Sequence, residues 1–286
     1  MQVGAWLIAA RQKLTETSCR ALSDTPGLDL QVLLSHIIQK PRAWIVAHPE
    51  YVISDKHISA LDEDFVSLSN GIPLPYLIGR QHFMGLEFNV SPDVLIPRPE
   101  TEELVEIALR WLKANPGAQR VIEIGVGSGC IAASIAHYMP LLSITAIDLS
   151  WPAIRIAQNN FINLKVADQI YPLCANLLKP VQAQFDLICA NLPYIPTDQL
   201  KQLPVYLHEP TLALDGGADG LHIIHSLLED APRCLAANGL LLMEIESSLG
   251  QQSTRLARQY FPQAEIELHH DLAGRPRIIK VNNHAN

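Results

Sequence analysis

Asn191, followed by Leu192, Pro193 and Tyr194, closes the short apolar run Phe185-Asp186-Leu187-Ile188-Cys189-Ala190. Such a run reads as a buried parallel strand. The amide side chain then stands at the carboxyl edge of a sheet, where open α/β folds bind ligands. A carboxamide carries both an acceptor oxygen and an NH2 donor, and Pro193 holds the turn in one shape. The chemistry on offer is recognition of a polar ligand by hydrogen bonds. A turn in which Asn191 simply caps the strand end has the same residues, and this stretch alone does not separate the two.

A second constellation lies upstream. Arg120-Val121-Ile122-Glu123-Ile124 is strand-like and runs into Gly125-Val126-Gly127-Ser128-Gly129 and then a helix. A GxGxG turn lets the backbone approach a ligand and aims helix N–H groups at it. It is neither the GxGxxG of dinucleotide binders nor the lysine-bearing phosphate loop, so phosphate chemistry is not expected. About twenty residues on, the run Ser143 to Ile147 ends in Asp148. A carboxylate there is placed to accept both hydroxyls of a ribose, or else to cap the helix that begins near Ser150-Trp151-Pro152. Glycine loop and acid together favour an adenosine-type ligand. A third run, Ile170 to Ala175, ends before Asn176, which would border the adenine or be an ordinary turn residue.

The elements that must position these residues can be read along the chain. Residues 1 to about 75 carry three helical apolar faces, including Leu30, Leu33, Leu34, Ile37 and Ile38, with breakers at Pro26-Gly27, Pro41 and Pro49. Gly71 to Pro75 reads as a linker and Gln81 to Val90 as a β-hairpin around Gly85. Pro99 opens a helix whose early Glu100, Glu102 and Glu103 suit its dipole. A helix over 221–236, a strand over 239–245, a helix over 250–260 and strands over 264–268 and 277–281 complete an α/β pattern.

The chain has 286 residues, 48% apolar and 17% charged, which describes a globular protein of one large and one small domain. A net charge of −8 argues against a surface built to grip nucleic-acid phosphates. The five cysteines, 19, 130, 174, 189 and 234, are scattered, which predicts buried free thiols and no metal site. His269 and His270 are expected at the surface of a strand end. With no leader pattern and no long apolar span, a soluble cytoplasmic protein is the expectation.

Taken together, the chain resembles the class I S-adenosylmethionine-dependent methyltransferases. Among these it is similar to the release factor glutamine methyltransferases, which modify the glutamine of the Gly-Gly-Gln motif in peptide chain release factors. The resemblance is carried by Ile96-Pro97-Arg98-Pro99-Glu100-Thr101-Glu102, the glycine loop, Asp148, Asn191 to Tyr194, Glu209-Pro210, Gly216 to Leu221 and Asp271 to Arg277. It implies an α/β fold: a Rossmann-like, mostly parallel seven-stranded sheet with a small N-terminal helical domain. The implied division is a substrate-recognition domain over 1–75, a linker and hairpin over 76–95, and a methyl-donor-binding domain over 96–286.

By the same resemblance, Gly125, Val126, Gly127, Ser128 and Gly129 lie against the methionine part of the donor, Asp148 holds its ribose and Asn176 borders its adenine. Asn191, Leu192, Pro193 and Tyr194 hold the substrate amide, with Asn191, Pro193 and Tyr194 as the catalytic set and Asn191 also reaching the donor. No metal, membrane or direct nucleic-acid contact is implied, and the release factor meets a monomer. Three positions depart from the family pattern: Leu192 replaces a proline, Asn176-Leu177 replaces an acid and an aromatic, and Glu246 replaces a glycine. Other readings are methylation of a ribosomal-protein glutamine or of an exocyclic amine on a base, or a non-catalytic binding module.

Overall fold

The computed structural model describes residues 1–16 and 25–284, in two compact units that divide after Arg80. Cys19 lies outside the described residues. The first unit is helical: α1 (Val3–Glu16), α2 (Pro26–Ile38), α3 (Arg42–Ala47), α4 (Asp55–Ser69) and α5 (Leu74–Ile78). The prolines expected as breakers fall at helix starts or between helices, with Pro49 in the turn after α3. Pro26 occupies the first turn of α2 and Pro41 caps α3, positions where a missing N–H costs nothing. Leu30, Leu33, Leu34 and Ile38 of α2 bury against Trp6, Ile45, Ile53 and Leu61.

A hairpin opens the second unit, its β1 (Arg80–Phe83) starting at the last residue of the first, with β2 (Leu86–Asn89) reached through Met84 and Gly85, both with positive φ. There follow α6 (Pro99–Ala114), β3 (Arg120–Ile124), α7 (Cys130–Tyr138), β4 (Ser143–Asp148), α8 (Trp151–Asn163), β5 (Ile170–Cys174) and β6 (Phe185–Asn191). After the short α9 (Thr197–Leu200) come α10 (His222–Cys234), β7 (Leu235–Glu244), α11 (Gly250–Tyr260), β8 (Glu265–His270) and β9 (Pro276–Asn282).

Strands β3 to β9 form one seven-stranded sheet in the order β5-β4-β3-β6-β7-β9-β8. All pairings are parallel except β7–β9 and β8–β9, so the sheet is mostly parallel, as the resemblance implies. Alternate residues feed two cores. Val121, Ile144, Leu187 and Leu240 pack with α6, α7 and α8, and Ile122, Ile147, Ile188 and Leu241 pack with α10 and α11. Both faces being covered explains why these strands read as mainly apolar runs rather than as alternations. Edge strand β5 is the exception, and there Cys174 is exposed, which corrects the expectation of a buried thiol; Cys130, Cys189 and Cys234 are buried and free.

The strand order runs outward from β3 through β4 and β5 on one side and from β6 through β7 on the other. The carboxyl ends of β3 and β6 therefore flank the point where the order reverses, which is where doubly wound sheets open a crevice. Ile124 pairs with Ala190 there, so the glycine loop and Asn191 leave the sheet side by side.

Candidate active site

A cavity of about 300 Å³ opens at that point, lined by the ends of β3, β4 and β6 and by the segment that leads into α6. Of the residues singled out from sequence, Gly125, Val126, Gly127, Ser128, Asp148, Asn176, Asn191, Leu192 and Pro193 line it. Gly129 and Tyr194 do not.

The glycine loop is shaped by backbone chemistry. Gly125, Gly127 and Gly129 have φ of 79°, 51° and 81°, values that an L side chain resists. A Cβ on Gly127 would meet nothing within 4 Å, so its missing side chain leaves open space, whereas one on Gly129 would stand 2.5 Å from the Phe161 ring. Gly129 thus serves packing of α8 against α7. Gly129→Ala is expected to destabilise the fold by about 1–3 kcal/mol, read from a urea melt; an unchanged midpoint would show that Phe161 yields freely.

Two acids, the half-buried Asp148 and the buried Glu123, tie the loop to its surroundings. Asp148 Oδ2 accepts the Gly127 N–H at 2.8 Å and its Oδ1 accepts the Ser150 N–H at 2.8 Å. Burial raises its carboxyl above the usual carboxylate range, and the Gly127, Ser150 and Leu149 N–H groups pull it back. The α8 cap is Ser150, whose Oγ accepts from Ala153 N–H, so Asp148 does not cap that helix directly. Glu123, 1% exposed, accepts the Ala132 N–H at 2.8 Å in the first turn of α7. Burial, and then the charge of Asp148, push its carboxyl well up.

The Asn191 turn is held from behind. Ile195 N–H donates to Leu214 carbonyl, Gly216 N–H to Ile195 carbonyl and Thr197 N–H to Gly217 carbonyl. A Cβ on Gly220 would stand 2.4 Å from the Tyr194 carbonyl oxygen, and one on Gly216 2.7 Å from Tyr194 Cα. Glycine is required at both because the backbone passes so close. Leu192 is 5% exposed and packs beneath the glycine loop, where its Cδ2 would stand 3.0 Å from a Cβ on Gly125.

Asn191 and Glu244 are partners in the β6–β7 register. The Asn191 Nδ2 donates to Thr101 Oγ1 at 3.0 Å, and the Tyr194 hydroxyl donates to Glu244 Oε1 at 3.4 Å. Glu244 is 2% exposed. Burial raises its carboxyl to about 7 against the opposing pull of Thr101, Arg277 and Tyr194. Burial also pushes the Tyr194 hydroxyl up, and the Glu244 charge adds to that, so Tyr194 acts as a hydrogen-bonding phenol.

Two known families match the chain in sequence order: the PrmC N-terminal domain over residues 5–79 and the methyltransferase small domain over 104–206. A release factor glutamine methyltransferase of Moorella thermoacetica is 38% identical over 274 residues, covering 94% of this chain and 96% of its own. The chain belongs to the release factor glutamine methyltransferase family. A second member, from Clostridium acetobutylicum, is 32% identical over 98% of both chains. Among solved structures, the 16S rRNA N2 G1207 methyltransferase of T. thermophilus, in complex with AdoMet and guanosine, superposes with a TM-score of 0.52 at 14% identity. It covers 72% of this chain and 50% of its own, a likeness of fold. As a member of this family the chain is an S-adenosylmethionine-dependent methyltransferase.

Several parts of the site had a sequence signal but no partner assigned to them. Arg98 lines the cavity and is ion-paired to the buried Glu209, whose other oxygen accepts the Ile96 N–H at 3.2 Å. The Pro-Arg-Pro segment and Glu209-Pro210, 111 positions apart at the ion pair, are thus one structural unit. Thr101 and Glu244 were legible only as members of a helix start and a buried strand. The early acids of α6 do more than suit its dipole: Glu102 accepts the Met84 N–H at 2.6 Å and Glu103 pairs with His269 at 2.8 Å. His269 is therefore a half-buried partner of α6, a correction to its expected place at the surface. Glu246, at the position of a usual glycine, accepts from Ser248 N–H at 2.6 Å and so starts the turn before α11. Among the described residues no helix is long and apolar enough to cross a membrane.

Proposed function

We propose that this protein methylates the side-chain amide nitrogen of the glutamine in the Gly-Gly-Gln motif of peptide chain release factors, with S-adenosylmethionine as the methyl donor. The observation that carries the reading is the state of Asn191. Its Nδ2 is committed to Thr101 while its Oδ1 has no partner among the described residues, and the residue lines the cavity. A free carbonyl acceptor at the crevice suits an incoming N–H. The name these relatives share, release factor glutamine methyltransferase, supports the same substrate.

The residues present fit the donor. Gly127 leaves room for it, and Asp148 keeps lone pairs free after accepting two backbone N–H groups. The donor supplies a methyl group on a sulfonium, electrophilic enough to need no acid catalyst. What the protein must do is orient a weak nucleophile, because an amide nitrogen shares its lone pair with its carbonyl. Asn191 Oδ1 accepts one amide N–H and the main-chain carbonyl of Leu192 the other, which turns the nitrogen toward the methyl. A main-chain carbonyl serves equally from leucine or proline, and Pro193 stiffens the turn. Tyr194 braces that turn through Glu244. As the nitrogen–carbon bond forms and the sulfur–carbon bond breaks, the nitrogen becomes acidic and its surplus proton leaves to water. The work is orientation with hydrogen-bond support. The helical unit of residues 1–80 is the proposed release-factor recognition unit, a reading supported by the PrmC N-terminal domain match over residues 5–79.

The test is methyl transfer from labelled donor to a purified release factor, read by mass spectrometry on the Gly-Gly-Gln peptide. One added methyl on the glutamine is expected. Transfer to a ribosomal protein or to a base instead would overturn the substrate. Asp148→Ala is expected to weaken donor binding by roughly 10- to 100-fold, the worth of charged hydrogen bonds, measured by titration calorimetry. An unchanged Kd would remove Asp148 from the donor site.

A further inference from the structure

We infer that Thr101 and Glu244 are positioning residues that decide which end of the Asn191 carboxamide faces the substrate. The inference rests on the proposed glutamine chemistry and concerns residues behind the reacting atoms. The oxygen and nitrogen of a carboxamide are nearly equal in size, and rotating the group by half a turn exchanges an acceptor for a donor. A substrate NH2 needs the acceptor. Shape cannot enforce that choice, so hydrogen bonding must.

The network does so in one direction. Asn191 Nδ2 donates to Thr101 Oγ1 at 3.0 Å. A hydroxyl can donate as well as accept, so Thr101 remains an acceptor toward Asn191 only while its own proton is engaged elsewhere. Glu244 is placed to supply that engagement: it is buried, opposite Asn191 in the strand register, and its charged form is favoured by the Thr101 and Tyr194 hydroxyls. An ionised carboxylate only accepts, so it draws the Thr101 proton and leaves the Thr101 lone pairs for Asn191. A protonated Glu244 has a hydrogen to donate. It can turn the Thr101 hydroxyl toward Asn191, after which the amide presents NH2 to the cavity and meets the substrate donor to donor.

The surroundings of Glu244 suit a group whose charge is finely balanced. Arg277 of β9, Tyr194 after β6, Glu100 and Thr101 of α6 and Cys130 of α7 face it electrostatically. Arg277 is shared with Asp271 at 3.3 Å, and Glu244 Oε2 is buried without a hydrogen-bond partner. Arg277 favours the charge and Glu100 opposes it, while burial opposes it most.

The experiment compares wild type, Thr101→Val, Thr101→Ser and Glu244→Gln in steady-state methylation of a release factor across pH. In parallel, the Asn191 side-chain NH2 is followed by nitrogen–proton NMR. Thr101→Val keeps the volume and removes the hydroxyl. It is expected to lower kcat on the order of 10- to 100-fold, the scale for a misoriented reacting group, with the KM for donor unchanged. Thr101→Ser should recover most of the rate. Wild-type kcat should rise with pH to a plateau through about 7, and Glu244→Gln should flatten that profile. The Asn191 NH2 signal should titrate over the same range in wild type and not in Thr101→Val or Glu244→Gln. Wild-type kcat in Thr101→Val, or an Asn191 signal indifferent to pH, overturns the inference. Absence of glutamine methylation by wild type would overturn the proposed substrate instead, and the NMR titration then decides the positioning claim by itself.

Discussion

Asn191→Ala is expected to lower turnover by on the order of 10²- to 10³-fold, the scale seen when one preorganised hydrogen-bonding group is removed from a reacting centre. Donor affinity should stay within a few-fold, because Asp148 and the glycine loop are untouched. The argument is geometric. Asn191 is the last residue of β6, its backbone is fixed by pairing with Glu244 of β7, and its Nδ2 is tied to Thr101. Truncation removes the acceptor while leaving the strand in place, so the substrate amide can enter but not be aimed. Rates are to be read as kcat under saturating donor, with binding measured separately by calorimetry. A variant with full kcat would show that the main-chain carbonyl of Leu192 suffices, and the mechanism proposed for Asn191 would fall.

The second large effect concerns stability. A carboxyl that is harder to ionise in the folded than in the unfolded chain holds more protons when folded. Its contribution is complete below the unfolded value of 4.5 and is lost as pH climbs to about 7 for Glu244. At about 1.36 kcal/mol per pKa unit, that interval corresponds to about 3 kcal/mol. Glu123 and Asp148 are shifted in the same direction, so they add to the slope. Glu244→Gln, neutral at every pH, should gain on wild type by about that amount between pH 4.5 and 8 in urea unfolding. Parallel stability curves for the two proteins would refute a strained carboxylate at this position. The expected result is a variant more stable at neutral pH with a site less well set for its reaction, the usual trade-off at functional positions.

What sequence conveyed follows from these same forces. The sheet was readable because both of its faces are covered, which leaves runs such as Leu187 to Ala190 and Leu240 to Met243 without polar interruption. The glycine loop was readable because positive φ at Gly125, Gly127 and Gly129 admits few other residues. Gly129, however, owes its identity to Phe161 as much as to any ligand, and spacing cannot separate those causes. Thr101 and Glu244 were opaque because a threonine in a first helical turn and a glutamate ending a strand have ordinary explanations. Only the register that sets Glu244 opposite Asn191 gives them a role. Arg98 and Glu209 likewise became a pair only through folding, and the charge pattern along the chain does not connect them. Cys174 was misjudged because β5 is an edge strand, and an apolar run does not say which strand lies at the edge.

The placing of β9 between β7 and β8 carries a consequence for how the chain is born. The ribosome delivers β8 before β9, yet among the described residues β8 pairs only with β9. Until Pro276 to Asn282 emerges, β7 presents a bare apolar edge, and Arg277 has yet to reach Glu244. Such edges recruit other strands, and nascent chains of this size are vulnerable to that fate. A chain that ends before Pro276 therefore carries its donor loop and Asn191 but an unfinished sheet, and it is this species that chaperones should capture most readily.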